Sequence, residues 1–403
     1  MSLIVLKFGG TSVGSCKKIN NTAKLIKKHY NNKNKIIVVA SAMTGVTDDL
    51  IKKSNKISKN FEKSEYDVLL SSGEQISCAL LAGALINLGL KSRSWMSWQI
   101  PILTEGDHSS SRIKSVNKKE VINYVNSGGI PIITGFQGIS NNKRITTLGR
   151  GGSDATAISI AKFFGAEDCI IYTDVDGIYT TDPDINRNAK KINKISYEEM
   201  LEMSSLGAKV MQPISIQDAM INDININVKS SFKNIKGTTI SNKQNFSNKN
   251  IITGIAFTKN EAKITIVGVT DRPGIAASIF KPLADNQINV DMVVQTSSPD
   301  GGQTDITFTI IKDDVKNCIK ILKENKKISY KKIIHDDKVS KVSIVGAGMI
   351  ATPGVTYRMF QALAKKKINI MVISTSEIKI SVLINQKNIK KAIRVLHKEF
   401  DLD

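Results

Sequence analysis

The residues best suited to chemistry near the amino terminus form the segment Lys7-Phe8-Gly9-Gly10-Thr11-Ser12. An apolar run ends there in a glycine turn, and a helical pattern follows. Glycines at such a turn let backbone N–H groups approach a phosphate, and the N-terminus of the following helix favours its negative charge. Lys7 could neutralise a phosphoryl group during transfer. The segment is not a P-loop, because Ser15-Cys16 stand where that motif has Lys-Ser/Thr, and the residues alone leave a purely structural turn equally open.

A second glycine segment, Gly149-Arg150-Gly151-Gly152-Ser153-Asp154, follows two threonines at 146 and 147. The guanidinium of Arg150 can bind a carboxylate or a phosphate through two parallel hydrogen bonds. Ser153 or Asp154 can also cap the helix that begins here, and capping is compatible with ligand binding. The segment therefore indicates an anion site at the start of a helix.

The third segment, residues 172–183, places Asp174, Asp176 and Asp182 around Gly177. Such a loop can be an ordinary turn stabilised by aspartate side chains, or it can hold a nucleotide with its Mg²⁺. The sequence contains no cluster of His, Cys and carboxylate residues that suggests a dedicated metal site. We therefore expect any Mg²⁺ to arrive with the nucleotide.

Short apolar runs alternate with helical patterns through the first 240 residues. The patterns predict strands at 3–8, 35–40, 130–134 and 169–172, and helices at 16–29, 74–86, 116–126 and 153–164. This alternation is typical of an α/β fold with a mostly parallel sheet. Ligands in such folds bind at the carboxyl ends of the strands, where the glycine-rich and acidic segments lie.

An internal repeat with a period of 80 residues occupies the carboxyl-terminal part of the chain. Pro273-Gly274 matches Pro353-Gly354, and Ile288-Asn289-Val290 matches Ile368-Asn369-Ile370. Several features in one register predict two copies of a βαβ-type unit. Pro282 falls inside the predicted helix of the first copy, where it removes a hydrogen bond and should kink the chain.

One glycine pattern in the repeat resembles a different kind of site. Residues 344–351 match the dinucleotide-binding pattern, but Thr352-Pro353-Gly354 interrupts the helix that must begin there, so the repeat explains the segment better. We expect a catalytic domain at 1–240, a linker with the first regulatory strand at 241–262, and two regulatory modules at 263–335 and 336–403.

The composition excludes several classes of protein. The 403 residues carry a formal net charge of +21, but the excess lies in both halves and aromatic residues make up only 5%. A nucleic-acid surface would need clustered basic residues with interleaved aromatics, so we favour a solvated basic surface. Four widely spaced cysteines exclude a disulfide framework and suit a reducing cytosol. Residues 1–8 are too short and too early charged for a signal peptide, and the most apolar helical stretch, 78–90, is too short to span a bilayer.

The glycine-rich and acidic segments, together with Ser72-Gly73-Glu74, closely resemble the aspartate kinases of the amino-acid kinase family. The resemblance covers nearly the whole chain, from Lys7 to about Leu402. The first motif with Gly151-Gly152-Ser153-Asp154 separates these enzymes from glutamate, acetylglutamate and uridylate kinases. The repeat is similar to the paired ACT-type amino-acid-sensing modules of the same family. Nothing follows the second module, so we expect a monofunctional enzyme without a fused dehydrogenase.

The resemblance implies a three-layer αβα kinase domain followed by two ferredoxin-like ACT modules. It also implies phosphoryl transfer from ATP, with its Mg²⁺, to the β-carboxylate of L-aspartate, the first step toward lysine, threonine and methionine. An ionised carboxylate is already a nucleophile, so the protein must supply mainly positive charge, N–H donors and alignment.

The resemblance also assigns site residues. Lys7 would bridge the transferring phosphoryl oxygens, and Asp154 would orient Lys7. The substrate side would consist of Thr47, Glu74, Arg150, Gly151, Gly152 and Ser153. The nucleotide side would consist of Lys7, Phe8, Gly9, Gly10, Ser41, Thr173, Asp174, Tyr179, Asp182 and Lys209.

For the modules, the resemblance implies feedback inhibition by lysine, threonine or both. The expected effector positions are Asp271, Pro273, Gly274, Asn289, Asp291, Gln295, Asn369, Ile370, Thr375 and Ser376. We expect a cytoplasmic homo-oligomer of one type of subunit, associated through the modules. Trp95-Met96-Ser97-Trp98 departs from the family, which usually has small residues there.

Three alternatives remain open on the sequence. Within the same fold, the chain could phosphorylate another acidic metabolite. It could be a catalytically silent amino-acid sensor, although Lys7, Arg150 and Asp154 are all intact. It could also bind nucleic acid, and that affinity would fall steeply with salt.

Overall fold

The structure is a computed structural model that describes residues 2–31, 34–207, 210–242, 251–297 and 302–403. The chain divides into two compact units. The first unit comprises Met1–Ile178, Lys191–Ser205 and Lys209–Ser247, and the second comprises Tyr179–Lys190, Leu206–Ala208 and Asn248–Asp403. The segment Tyr179–Lys190, which contains two of the expected nucleotide-side residues, Tyr179 and Asp182, thus packs with the carboxyl-terminal unit.

The first unit contains twelve strands and seven helices among the residues that the structure describes. The strands are β1 (Leu3–Phe8), β2 (Lys35–Ala40), β3 (Ser92–Trp95), β4 (Ile102–Glu105), β5 (Arg112–Val116), β6 (Ile130–Thr134), β7 (Gln137–Ile139), β8 (Ile145–Thr147), β9 (Asp168–Thr173), β10 (Lys194–Ser196), β11 (Asn225–Ser230) and β12 (Thr238–Ser241). The helices are α1 (Cys16–Asn31), α2 (Val46–Ile57), α3 (Lys63–Asn87), α4 (Lys119–Asn126), α5 (Gly152–Phe164), α6 (Tyr197–Ser205) and α7 (Pro213–Ile221).

Eight of these strands form one sheet in the order β10-β12-β11-β9-β1-β2-β6-β3. All neighbours are parallel except β11 and β12. A smaller sheet has the order β5-β4-β7-β8. The predicted α/β fold with a mostly parallel sheet is confirmed, and the four predicted strands agree with the observed ones to within one residue at each end.

Helix α3 begins eleven residues earlier than the apolar pattern predicts. The side chain of Glu62 accepts a hydrogen bond from the backbone N–H of Glu65 and caps the first turn at Lys63. At 25 residues, α3 is long and apolar enough to cross a membrane by composition, but half of its most apolar window is buried inside the protein. Asp67 and Glu74 are both buried on it, although such residues are rarely buried unless they have partners.

Strand alternation determines which face of the main sheet carries the chemistry. Ile4, Leu6 and Phe8 of β1 pack into a core cluster with residues of α1 and α3. Because successive side chains of a strand point to opposite faces, Lys7 points to the other face, where α5 packs on β1. The fold thereby brings Lys7 to the beginning of α5.

The second unit is built on one continuous sheet. Its strands are β13 (Gly254–Thr270), β14 (Val293–Ser297), β15 (Gln303–Ile311), β16 (Lys332–Val345), β17 (Ile370–Thr375) and β18 (Lys379–Asn385), in the order β14-β15-β13-β16-β18-β17. Its helices are α8 (Ile275–Asp285), α9 (Val315–Glu324), α10 (Val355–Lys365) and α11 (Ile389–Glu399). Helices α8 and α10 follow Gly274 and Gly354, both with left-handed backbone at φ 84° and 86°, so the period of 80 residues is visible in the structure.

The two modules share their central strands. Ala262, Ile264, Ile266 and Val269 of β13 contribute to the core of α8 and α9. Ile255 at the start of β13, and Ile252 just before it, contribute to the core of α10 and α11. Strand β16 pairs antiparallel with both parts of β13. Each module therefore includes a strand segment from the other copy, which a simple pair of βαβ units does not describe. Part of the predicted linker, residues 243–250, lies outside the described residues.

Pro282 does not end its helix. A residue in α8 normally donates its N–H to the carbonyl oxygen four positions earlier, which here belongs to Ser278. Proline lacks that N–H, and the side-chain amide of Asn325 donates to Ser278 O instead, at 2.8 Å. The helix continues to Asp285 with Pro282 inside it. A hydrogen bond from another element thus replaces the one that the proline removes.

The unusual tryptophan stretch is part of the edge of the main sheet. Trp95 ends β3 and is 2% exposed. Its ring meets Tyr124 edge-on at a centroid distance of 5.9 Å, and the guanidinium of Arg93 lies 4.1 Å from its ring centroid. Trp98 remains partly exposed. Trp95 therefore packs β3 against helix α4, which carries Tyr124.

Candidate active site

Three parallel strands end side by side and expose backbone groups at one edge of the main sheet. Phe8 is paired with Ala40 on β2 and with Tyr172 on β9, so residues 9, 41 and 173 follow at the same level. The N–H of Gly9 donates to Tyr172 O at 3.1 Å. A Cβ at Gly10 would lie 2.8 Å from Ala42 O, so the close approach of the two backbones requires glycine there.

Lys7 and Asp154 form an ion pair at this edge. The distance from Lys7 Nζ to Asp154 Oδ1 is 2.6 Å, and each side chain is about one tenth exposed. Asp154 lies in the first turn of α5, where the helix dipole stabilises a carboxylate. The pair holds the Lys7 ammonium at the end of β1 and leaves it accessible from one side.

The ion pair faces a cleft of about 620 Å³. The cleft is lined by residues at the ends of β1, β2 and β8, on α2 and α3, in two loops, and in the segment that leads into the first turn of α5. These residues are Lys7, Ser41, Thr47, Asp48, Ile51, Tyr66, Leu70, Ser109, Phe136, Thr147, Gly149, Arg150, Gly151, Gly152, Ser153 and Asp154. Residues predicted for both the phosphoryl and the substrate sides are thus brought to one cavity. Glu74 is not among the lining residues.

The segment before α5 presents Arg150 at the mouth of the cleft. Gly151 has φ 74° and immediately precedes the helix, and the N–H groups of Asp154 and Ala155 donate to its carbonyl oxygen. A Cβ at Gly151 would lie 2.2 Å from the side chain of Gln212, so both its conformation and its surroundings favour glycine. Arg150 is exposed, and its guanidinium can reach an anion in the cleft.

Glu74 is buried next to the cleft with an incomplete set of hydrogen-bond donors. Its Oε1 accepts the N–H of Ala42 at 3.0 Å. Its Oε2 has no hydrogen-bond partner among the residues that the structure describes. Burial raises the pKa of Glu74 to about 8, and the Ala42 N–H only partly opposes that effect. An ionised Glu74 would therefore be strongly stabilised by a bound cation.

The expected nucleotide-side residues fall into three groups. In the first unit, Thr173 Oγ1 donates to Asp174 Oδ1 at 3.0 Å at the end of β9. Tyr179 and Asp182 belong to the second unit, where Asp182 Oδ1 accepts the N–H of Asp184 at 2.9 Å. Lys209 lies outside the described residues.

The ring of Phe8 is buried and stacks on Tyr172 with 4.9 Å between centroids, so only the backbone of Phe8 faces the site.

In the acidic loop after β9, Asp176 is paired with Lys233, Oδ2 to Nζ at 2.9 Å. Among the described residues, no group of three or more His, Cys, Asp or Glu side chains is placed to hold a metal ion. The single carboxylate of Asp174 at the strand end is compatible with a cation that is bound mainly by a nucleotide's phosphates.

Several lining residues were not predicted from the sequence. Ser109, Phe136 and Thr147 contribute to the cleft. Beneath them, Asp67 is fully buried and accepts hydrogen bonds from Ser109 and Thr147. Its position seven residues before Glu74 places both carboxylates on one face of α3, a signal that was present in the sequence.

The expected effector positions lie in the loops and strand ends of the second unit. Asp271 donates its N–H to Gly302 O at 2.9 Å, and the N–H of Ser376 donates to Lys379 O at 2.8 Å. Asp291 is paired with Lys341, a buried lysine on β16 that also lies 3.4 Å from Glu261. The other positions are Pro273 and Gly274 before α8, Asn289 after it, Gln295 on β14, Asn369 before β17, and Ile370 and Thr375 at its two ends. Lys341 was not predicted from the sequence.

Comparisons with known proteins agree with this architecture. The profile of the amino acid kinase family matches residues 2–230, and that of the ACT domain matches residues 264–325 and 342–400. The aspartokinase of Pseudomonas aeruginosa is 44% identical over 406 residues, covering all of this chain and 98% of that protein. The crystal structure of Clostridium acetobutylicum aspartate kinase is 25% identical with a TM-score of 0.80, covering 98% of this chain and all of that one. Escherichia coli aspartokinase III, in complex with aspartate and ADP, has the same fold at 24% identity and a TM-score of 0.81, covering 99% of this chain and all of that one.

The chain therefore belongs to the amino acid kinase family and, within it, to the aspartokinases with tandem ACT domains. The resemblance found in the sequence is confirmed.

Proposed function

We propose that the chain transfers the γ-phosphoryl group of ATP to the β-carboxylate of L-aspartate and releases 4-phospho-L-aspartate and ADP. The observation that carries this proposal is the Lys7–Asp154 pair, 2.6 Å apart, which faces the same cleft as Arg150. The cleft thus offers one ammonium near the glycine turn of β1 and one guanidinium before α5. Two anionic substrates require such a distribution of positive charge.

On the substrate side, Arg150 binds the α-carboxylate of aspartate through its two-pronged donor set. The α-ammonium group of aspartate supplies a cationic partner for the buried carboxyl group of Glu74. Thr47 and Ser153 donate hydrogen bonds, and Gly151 and Gly152 leave room for the ligand beside the N-terminus of α5. These contacts hold the β-carboxylate in place for attack on the phosphorus atom.

On the nucleotide side, backbone N–H groups at Gly9 and Gly10 and the hydroxyl group of Ser41 approach the phosphates. Thr173 ends β9 and Asp174 follows it at the same edge, and Asp174 can bind Mg²⁺ that arrives with ATP. We also assign Tyr179, Asp182 and Lys209 to nucleotide binding, on the match with the family pattern alone.

During transfer, Lys7 neutralises charge on the phosphoryl oxygens, and Asp154 fixes the direction of the Lys7 side chain. The β-carboxylate is ionised at neutral pH and attacks without a general base. No proton needs to move in the step, so catalysis rests on alignment and electrostatic stabilisation.

The decisive experiment is a coupled assay of ADP release with L-aspartate, L-glutamate and N-acetylglutamate as acceptors. We expect turnover with L-aspartate and at least about a hundredfold lower kcat for Lys7→Ala, with aspartate binding retained in calorimetry. Asp154→Asn should also lower kcat, because it removes the negatively charged partner of Lys7. The absence of turnover with aspartate would refute the proposed activity, and normal activity of Lys7→Ala would refute the role of Lys7.

We further propose that the ACT modules bind lysine, threonine or both at the positions given above and inhibit the kinase. Escherichia coli aspartokinase III has been crystallised with lysine and aspartate in a T-state, which supports a search for the same type of effector here. We also propose a cytoplasmic homo-oligomer that associates through the modules. Assays with lysine, threonine and both together, combined with light scattering, test these points. Inhibition by neither amino acid would contradict the proposed feedback.

A further inference from the structure

Asp67 is a buried carboxylate that the proposed chemistry does not use. It lies on α3 and is 0% exposed. Among the described residues, no lysine or arginine forms an ion pair with Asp67. Instead, its two oxygens accept hydrogen bonds from three residues, His108, Ser109 and Thr147. A buried charge is costly unless it is hydrogen-bonded, and these hydrogen bonds stabilise the Asp67 carboxylate in its buried position.

Each of the two oxygens of Asp67 has more than one hydrogen-bond partner. Oδ1 accepts the hydroxyl groups of Ser109 at 2.9 Å and Thr147 at 2.7 Å. Oδ2 accepts the backbone N–H groups of the same two residues, each at 3.0 Å, and lies 2.7 Å from Nδ1 of His108. One side chain thus binds both the backbone and the hydroxyl group of two residues that are 38 positions apart in the sequence.

The segments held by Asp67 form one wall of the cleft. Ser109 and Thr147 line it, and Arg150 follows Thr147 by three residues. The N–H of Ser111 donates to Thr147 O at 3.1 Å, so the two segments also bind each other. A Cβ at Gly149 would lie 3.0 Å from Ser109 O, which shows how closely the loop around Ser109 packs on the segment that carries Arg150.

The backbone of the first segment is held in an uncommon conformation. Ser109 has φ 67°, a left-handed value that serine rarely adopts. Three hydrogen-bonding groups from the pair His108 and Ser109 converge on Asp67 at this point. Such a conformation persists only when its surroundings determine it strongly.

We propose that Asp67 is a positioning residue for the acceptor side of the active site. It holds the loop around Ser109 against the end of β8 and thereby places Arg150 before the substrate arrives. It does not touch the substrate. This inference rests on the proposed function only in naming L-aspartate as the ligand whose binding it affects.

Two substitutions at the same position separate geometry from charge. Asparagine can keep its carbonyl oxygen toward the two backbone N–H groups, and its NH₂ group can donate to the two hydroxyl groups, which rotate to accept. Asp67→Asn should therefore keep the KM for L-aspartate within about threefold of the unmodified enzyme. Asp67→Ala removes every acceptor and should raise that KM at least about tenfold, with the KM for ATP unchanged. Glu65→Gln is the control on the same helix, because Glu65 is exposed and paired only at the surface with Arg144.

A second measurement does not depend on catalysis. Amide hydrogen exchange followed by mass spectrometry should show faster exchange at 106–111 and 145–150 in Asp67→Ala than in Asp67→Asn, with the peptides of β1 and β9 unchanged. If Asp67→Ala does not fold, His108→Ala removes a single donor at the rim and should raise exchange at 106–111 and the KM for aspartate about two- to threefold.

The outcomes separate the two proposals. Lack of turnover by the unmodified enzyme with aspartate would refute the proposed function, while the exchange data would still test the anchor. Two results would overturn the positioning role. One is unchanged hydrogen exchange in both segments of Asp67→Ala. The other is a lower kcat in Asp67→Ala with unchanged KM values for both aspartate and ATP. A purely structural residue would reduce the active fraction and leave both KM values as they are.

Discussion

The most informative perturbation is Glu74→Gln, because it replaces a buried carboxyl group by a neutral group of almost the same size. Glu74 is 3% exposed and accepts one backbone hydrogen bond, from Ala42. Glutamine can keep that hydrogen bond through its carbonyl oxygen. The substitution therefore removes the possibility of ionisation and leaves the packing in place.

The sign and size of the effect follow from the pKa. Burial raises the pKa of Glu74 from its ordinary value of 4.5 to about 8. Below pH 4.5 the group is protonated in both the folded and unfolded chain and has no pH-dependent effect. Between 4.5 and about 8 the unfolded chain ionises and the folded protein does not, so stability falls as pH rises. The free energy of unfolding falls by about 1.4 kcal/mol for each pH unit, so the total decrease is about 5 kcal/mol above pH 8.

Thermal unfolding without substrate, measured from pH 5 to pH 9, tests this reasoning. The melting temperatures of the unmodified protein and Glu74→Gln should be similar at pH 5, and the variant should be increasingly more stable toward pH 9. The exposed Glu65→Gln should follow the unmodified protein throughout. A difference between the Glu74→Gln and unmodified curves that does not change with pH would refute the assignment of a raised pKa to Glu74.

Substrate binding should lower the pKa of Glu74, whereas burial raises it. A ligand ammonium next to Glu74 stabilises the ionised form and lowers its pKa. Aspartate binding should therefore release a proton near pH 7, and the KM for aspartate should fall as pH rises toward 8. Calorimetry in buffers of different ionisation enthalpy measures the released proton. Glu74→Gln should lose this proton release and bind aspartate more weakly, although it is the more stable protein.

Two further predictions concern backbone and helix packing. Asn325→Ala should cost about 0.5–1.5 kcal/mol in thermal unfolding, because it leaves the partly buried carbonyl oxygen of Ser278 without a donor. In the Pro282→Ala background the same change should cost much less, since the restored N–H replaces the lost donor. Equal costs in both backgrounds would contradict the compensation seen in α8. Gly73→Ala should lower stability and aspartate affinity because its Cβ would lie 2.8 Å from the Cβ of Ala42, whereas Gly83→Ala on the same helix meets nothing within 4 Å and should stabilise by up to about 1 kcal/mol. Thermal melts of the two alanine variants provide the comparison, and a stable, fully active Gly73→Ala would contradict it.

The sequence predicted the part of the site that depends on strand ends. Parallel strands place their carboxyl ends at one edge, so the segments that follow β1, β2 and β9 had to be neighbours once an α/β sheet was inferred. The side of β1 on which Lys7 lies follows from strand alternation. These steps need only local patterns and one topological rule.

The remaining features depend on contacts between distant segments. The three residues that bond to Asp67 lie 41, 42 and 80 positions away in the sequence, and no local pattern links them. The sharing of β13 and β16 between the two modules likewise requires knowledge of how the copies pair. A helix through Pro282 was predicted, but the hydrogen bond that replaces the one lost at the proline could not be, because its donor, Asn325, lies outside that helix.

The two buried carboxylates of α3 show how the number of donors distinguishes a structural group from a binding group. Asp67 and Glu74 lie seven residues apart on one face of the same helix, and both are almost inaccessible to solvent. Both oxygens of Asp67 accept hydrogen bonds from protein groups that are fixed in place. Glu74 has one protein donor, and its second oxygen has none among the described residues. A carboxylate whose donors all come from the protein gains nothing from a ligand, whereas one that lacks donors gains most from a cation. The same burial therefore makes Asp67 an anchor and leaves Glu74 as the residue whose ionisation should depend on the bound substrate.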